Sequence, residues 1–269
     1  MLVLVNKDEL RVLKKELRSC FPESLKVHGA VLNVCQGNAF HQEILVDSWP
    51  SFQVVIARLQ REKVPSEMNY FTQSCAVFYK DLNAYEKLVK DSDAIDWKQE
   101  FLLQGKTPQH PKFCACASAT NLEFLKKEYC MHKSGSELKL SSLNTAHAAL
   151  LNETWSVGGN EQSLCYLTRL IDCFSSSCLL DAGGCPISWV LLDQFGCLTH
   201  AYTMPAHRGK GYIQLVIAAL GRKLQSLNYP VYGDVLENNT SMQRALQCLG
   251  ANFTSCFLSY DLHTPISLL

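Results

Sequence analysis

Nowhere in this sequence do apolar residues run together for the ~20 positions that a membrane-spanning helix needs. Neither sign of charge is in excess: Lys and Arg total 25, and Asp and Glu also total 25. No global field therefore draws the chain to nucleic acid or to an anionic membrane, and any basic site must be local. Internal repeats and low-complexity tracts are missing too. The opening residues Met1–Val5 are too few for the apolar core of a secretory signal, and Asp8, Glu9 and Glu16 do not suit a mitochondrial presequence. That stretch reads instead as a structured helix, with Asn6 as its cap and Glu9 completing a capping box. The 13 cysteines are an odd number without a secretory signal, so they read as reduced intracellular thiols, mostly serving as small apolar residues.

What is present is globular: 47% of residues are apolar and 19% charged, and 269 residues suffice for two ordinary domains. The first part reads as mixed α/β. A helix over Asp8–Cys20 stops at Phe21-Pro22. Alternation over Lys26–Val34 and then Phe40–Val46, on either side of Gln36-Gly37-Asn38, predicts a hairpin. A strand is expected at Cys75–Tyr79, a helix over Leu82–Lys90 and a second helix over Trp97–Gln104. Residues 105–120, with two prolines and no clear period, make the best connection. His110, Cys114, Cys116, Cys130 and His132 are soft ligands in this region. Their spacing lacks the paired two-residue pattern of a zinc ribbon or finger, and no metal is assigned.

Beyond Glu137 the pattern is more regular. A strand at Leu138–Leu143 leads to a helix capped by Asn144 or Thr145 and running through Trp155. Gly158-Gly159-Asn160 precedes a helix from Glu161 to Phe174, and three strands follow at Cys178–Leu180, Pro186–Gln194 and Leu198–Thr203. Then come His207-Arg208-Gly209-Lys210-Gly211 and a helix from Tyr212 to Leu227, with Ile213, Val216, Ile217, Leu220, Leu224 and Leu227 on one side. A strand at Val231–Leu236, a helix over Thr240–Leu249 closed by Gly250, and a last strand over Phe253–Asp261 complete the chain. A glycine loop opening a helix presents unpaired N–H groups and the positive end of a dipole, a setting that suits phosphate. The glycines let backbone approach a ligand, and Arg208 and Lys210 add charge.

The element order from Leu138 onward resembles the GCN5-related N-acetyltransferase fold. Arg208-Gly209-Lys210-Gly211-Tyr212-Ile213 stands against that family's Gln/Arg-x-x-Gly-x-Gly/Ala, with Ile213 departing from the final small residue, and Asn239 precedes Leu249-Gly250. More narrowly, SCFPESLKVHGAVLNV at 19–34, TWSVGGNEQ at 154–162, PISWVLLDQF at 186–195 and AYTMPAHRGKGY at 201–212 resemble the glycine N-acyltransferase family. The likeness spans nearly the whole chain, least at 105–136. It implies an α/β protein: the acetyltransferase fold at 136–269, behind a mixed α/β N-terminal domain at 1–135 particular to the group. It implies acyl-CoA as co-substrate with no permanently bound cofactor. The CoA would be held around Met204, His207, Arg208, Gly209, Lys210, Gly211 and Tyr212, with Asn239 a further contact. The acyl group, medium- to long-chain fatty, would pass to glycine. The alternatives are glutamine or another small amine as acceptor, or a CoA-binding paralogue of weak activity. The implied compartment is the mitochondrion, with the cytoplasm as alternative.

The reaction calls for a base that removes a proton from the amine and for donors that hold the tetrahedral oxyanion. In the family pattern the base is a glutamate on the strand before the loop. The matching position here is Cys197, and a thiol with a pKa near ~8.5 does not simply replace a carboxylate. The remaining candidates are Asp193, His200 and His207, of which His207 sits in the loop and reads as serving its shape or the phosphate. In a regular strand His200 would face away from Cys197, and a bulge would bring it round. Many acetyltransferases place a proton-donating tyrosine seven residues after the asparagine; Leu246 stands there instead. Arg222 and Lys223 favour the helix dipole and only secondarily a 3′-phosphate. Trp155, Tyr166 and Trp189 read as core.

Overall fold

The computed structural model describes residues 1–63, 70–105, 115–118, 138–257 and 259–265, without the side chains of 115–118 and 254–259. His110, Cys114, Cys130, His132 and the side chain of Cys116 lie outside this description. The chain divides into two units. One is Met1–Cys114 with Gln194–Gly196 and Ser255–Leu269; the other is Ala115–Asp193 with Cys197–Thr254.

The first unit begins with β1 (Leu2–Val3) and α1 (Lys7–Arg18). Asn6 caps α1 by accepting the Asp8 N–H at 2.8 Å, and Leu10, Leu13 and Leu17 bury one side of the helix. α2 (Leu25–Cys35) stands where the first strand of a hairpin was expected. Every residue from Leu25 to Asn33 is buried, Lys26 and His28 included. A helix buried all round carries no single apolar stripe, and its chance alternation imitates a strand. The unit continues with β2 (Gln42–Val46), β3 (Val54–Leu59), β4 (Cys75–Tyr79), α3 (Leu82–Asp91) and β5 (Phe101–Gly105). The expected helix over Trp97–Gln104 is therefore corrected to a strand at its end. β5 is buried along its whole length, and a strand covered on both faces shows no alternation by which to read it.

The second unit contains β6 (Ala115–Ser118), β7 (Lys139–Ser141), α4 (Ala148–Thr154), α5 (Glu161–Cys173), β8 (Ser176–Leu180), β9 (Pro186–Leu192) and β10 (Leu198–Thr203). It goes on with α6 (Tyr212–Ser226), β11 (Tyr232–Val235), α7 (Thr240–Cys248) and β12 (Asn252–Phe257). Asn160 caps α5 by accepting the Ser163 N–H at 2.8 Å, while Asn144 caps a short 3-10 turn at Thr145–His147 ahead of α4. α6 buries Val216, Leu220 and Leu224 over β8 and β9. The chain's last strand, β13 (Ser259–His263), belongs to the first sheet. One strand was expected over Phe253–Asp261; two strands in two sheets are found.

The first sheet has the order β1-β2-β3-β4-β5-β13 and the second β12-β6-β11-β10-β9-β8-β7. The two units share a plan: strand, two helical segments, three strands, helix, strand. In each, the crossover helix joins a parallel pair, β4 with β5 and β10 with β11. The duplication is topological and left no repeat to see in the sequence. Beside β5 stands β13, and beside β11 stands β6, so each sheet is extended by a strand from outside the shared plan. Among the described residues no helix is long and apolar enough to cross a membrane.

Candidate active site

The site lies in the second unit, along β10 and the loop after it. The register of β10 against β9 shifts between Thr199 and Tyr202, and His200 takes a left-handed backbone with φ 51°. The strand is bulged there, so simple alternation no longer determines where His200 faces. Its ring meets Trp155 edge-on, centroids 4.6 Å apart, with Tyr166 at 6.3 Å. Burial pushes the His200 pKa down to about 4. The imidazole is thus uncharged at neutral pH, with a nitrogen lone pair available to a proton. Tyr166 and Trp189 are core residues, as expected, whereas half-buried Trp155 is part of the enclosure of His200.

Beyond β10, the Met204 N–H donates to the Ile187 carbonyl at 2.9 Å and a 3-10 turn runs over Pro205–His207. Arg208 Nε donates to the Thr203 carbonyl at 3.1 Å, and its guanidinium lies 5.3 Å from the centre of the Tyr202 ring. These contacts fold the side chain back along the strand. Gly209 and Gly211 have φ of 76° and 78°, a conformation that glycine adopts without penalty. Gly211 caps α6 with no side-chain bond to the first turn, which leaves the helix N–H groups to a ligand. Lys210 Nζ stands 6.0 Å from the centre of the Tyr212 ring.

This loop forms one wall of a cleft of about 620 Å³. His207, Arg208, Gly209, Gly211 and Tyr212 line it, as do Tyr202 and Thr203 of β10. Met204 and Lys210 adjoin these residues in the chain but do not line the cleft. α7 supplies the facing wall, where Asn239 has two roles: it lines the cleft and caps α7 by accepting the Met242 N–H at 3.1 Å. Arg244 on α7 also lines the cleft. It was missed in the sequence, although it follows the cap Asn239 and lies one turn beyond Ser241, another lining residue. Arg222 and Lys223 sit near the other end of α6, roughly 15 Å along its axis from the glycine loop.

The other base candidate has a structural task. Asp193 Oδ1 accepts the Cys197 N–H at 2.8 Å, and the Asp193 N–H donates to the Cys197 carbonyl at 2.9 Å. These bonds close the turn between β9 and β10. Cys197 is buried, and its Sγ lies 3.4 Å from Asp234 Oδ2 of β11. A carboxylate has thus reached the Cys197 position from the neighbouring strand.

Comparison with solved structures shows the fold. A Drosophila protein shares the fold over 98% of each chain with a TM-score of 0.74 at 16% identity. A tandem GNAT protein from the clavulanic acid biosynthesis pathway matches over 98% of each chain with a TM-score of 0.54 at 12% identity. The fold is that of the GCN5-related N-acetyltransferases. The family described as aralkyl acyl-CoA:amino acid N-acyltransferase matches residues 1–131 and 107–175, and its C-terminal region matches 177–260. Glycine N-phenylacetyltransferase of Bos taurus is 34% identical over 87% of this chain and 90% of its own. Glycine N-acyltransferase of Homo sapiens is 32% identical over 91% of this chain and 92% of its own. The chain belongs to the aralkyl acyl-CoA:amino acid N-acyltransferase family, and its activity is acyl-CoA-dependent acylation of an amino acid nitrogen.

Proposed function

We propose that the chain transfers a medium- to long-chain fatty acyl group from acyl-CoA to the nitrogen of glycine, releasing CoA and an N-acylglycine. The observation that carries this reading is the continuity of the site. A cationic, glycine-built helix entrance stands at one end, and β10 leads back from it to an uncharged imidazole at a strand bulge. His207, Arg208, Gly209, Gly211, Tyr212 and Asn239 make the cradle for the CoA phosphates, with Met204 and Lys210 beside them in the loop, and the pantetheine arm follows β10. The oxyanion donors are backbone N–H groups at the bulge, which face the thioester oxygen as charge develops on it. His200 receives a proton from the nitrogen once the new C–N bond has formed, and Asp193 holds the turn that starts the strand. The printed names of the relatives support glycine as acceptor, and the family resemblance favours a mitochondrial setting over the cytoplasm.

The test is release of CoA thiol from a panel of acyl-CoAs of graded length, with glycine, with glutamine and with no acceptor, the product being identified by mass. Glycine-dependent release that is greatest with medium or long chains is expected. Release with glutamine alone reassigns the acceptor. Acyl-CoA binding without acceptor-dependent release overturns the enzymatic reading in favour of a CoA-binding protein.

A further inference from the structure

β10 and β11 run parallel and are joined in register at Leu198 and Gly233. A side chain at Gly233 would hold the strands apart, since a Cβ there would stand 3.2 Å from the Leu198 carbonyl oxygen. The next residue of β11, Asp234, points its carboxylate to the start of β10. Oδ2 is 3.4 Å from Cys197 Sγ, and Oδ1 is buried. One residue past the Leu198–Gly233 pair, Asp234 is level with Thr199. It therefore stands just before the bulge at His200 and two residues short of Ala201, where β10 begins to line the cleft. A carboxylate half-buried in a sheet is costly to desolvate, and such groups concentrate where charge is handled.

We propose that Asp234 is the proton acceptor for the ammonium of the amino acid, with the Cys197 thiol positioning its carboxylate; this rests on the acyl-transfer reading above. An N–H bond of the ammonium breaks, the proton passes to Asp234 and the electron pair stays on nitrogen. That pair forms the bond to the thioester carbon. The C–S bond then breaks and its electrons leave on the CoA sulfur. The nitrogen's second surplus proton goes to neutral His200 and from there to the CoA thiolate, and Asp234 returns its proton to solvent. The amine thus sheds two protons to two groups.

Asp234→Asn keeps the size of the side chain and an oxygen for the Cys197 thiol while removing the base. Glycine-dependent kcat should fall about 100-fold, with acyl-CoA binding unchanged and the acid limb of the kcat pH profile lost. Asp234→Glu should keep that limb and recover part of the rate. A wild-type rate and pH profile in Asp234→Asn would overturn the proposal. So would loss of acyl-CoA binding in parallel with activity, which marks a carboxylate that only supports the fold. If the wild-type protein binds acyl-CoA but shows no amine-dependent thiol release, the acyl-transfer reading itself fails and this assignment falls with it. An active wild type with an unaffected Asp234→Asn variant sinks this assignment alone.

Discussion

The two units run through the same order of elements and treat the entrance of the crossover helix in opposite ways. In the first, only Lys80 and Asp81 separate β4 from α3, and Asp81 Oδ1 accepts the Asn83 N–H at 2.8 Å. A carboxylate already sits on the positive end of that helix. Lys80, the nearby cation, lies with its ammonium 3.9 Å from the centre of the Phe52 ring. In the second, residues 204–211 intervene between β10 and α6, and the helix is capped by a left-handed glycine with no side chain to satisfy its N–H groups. The first entrance already carries an anion and repels a second, whereas the second presents first-turn N–H groups of a kind that suits one. Topology placed a helix end at the same point twice; the capping residue and the loop length decided which one opens onto a cleft as the candidate site.

The largest expected effect comes from removing that difference. Gly211→Val puts a β-branched side chain at φ 78° on the helix cap and should weaken CoA binding about 100-fold by calorimetry. Asp81→Ser, which removes the anion from the first unit's helix, should leave CoA affinity unchanged. If Gly211→Val binds CoA normally, the cap is not what separates the units.

The next largest effect concerns His28 in the first unit and His200 in the second, both held below the ordinary histidine pKa by burial. His28 is 3% exposed, and its pKa is lowered to about 4, first by burial and then by the positive charges of Arg18 and Lys14. Because the unfolded chain takes up this proton near pH 6.5 and the folded protein does so only near 4, the stability is fully present above 6.5 and is lost as pH falls toward 4. Between pH 8 and pH 5 the loss from this one group is about 2 kcal/mol. Urea unfolding at those two pH values should show the loss shrink by that amount in His28→Gln. The acidic weakening from His200 in the second unit should remain in that variant.

Arg208→Ala should weaken CoA binding about tenfold, and raised salt should narrow the gap between variant and wild type. An unchanged affinity would mean that the backbone cradle alone holds the phosphates. The smallest effect sharpens the outline of the cleft. Cys248 is exposed and lines it, whereas Cys165 and Cys185 are exposed elsewhere. Saturating CoA should slow alkylation of Cys248 a few-fold, read by peptide mass, and leave the other two unaffected.

Much of the second unit was legible because its signals are local. The glycine loop, the cap at Asn239 and the stripe Val216, Leu220 and Leu224 each involve residues within a turn or two of one another. The first unit was harder. α2 and β5 are covered on all sides, so neither shows the half-buried pattern from which a period is read. At the site, the bulge that frees His200 from the regular strand pattern is a matter of pairing between β9 and β10. The approach of Asp234 to Cys197 joins residues 37 apart in the chain. A glycine followed by an acid inside a short strand was the available hint, but it does not say which neighbour the acid will meet.

By itself the sequence determined a globular composition without a membrane-spanning run, and a basic helix entrance built from Arg208, Gly209 and Gly211. It also carried the family resemblance that makes the phosphate compound acyl-CoA. These rest on residue chemistry and on backbone preferences that act between neighbours. The tertiary structure alone decided that Phe253–Asp261 divides between two sheets, that the first unit repeats the plan of the second without its glycine-capped helix entrance, and that a carboxylate from β11 stands beside Cys197. Strand pairing is chosen by partners far along the chain, and no local preference names them.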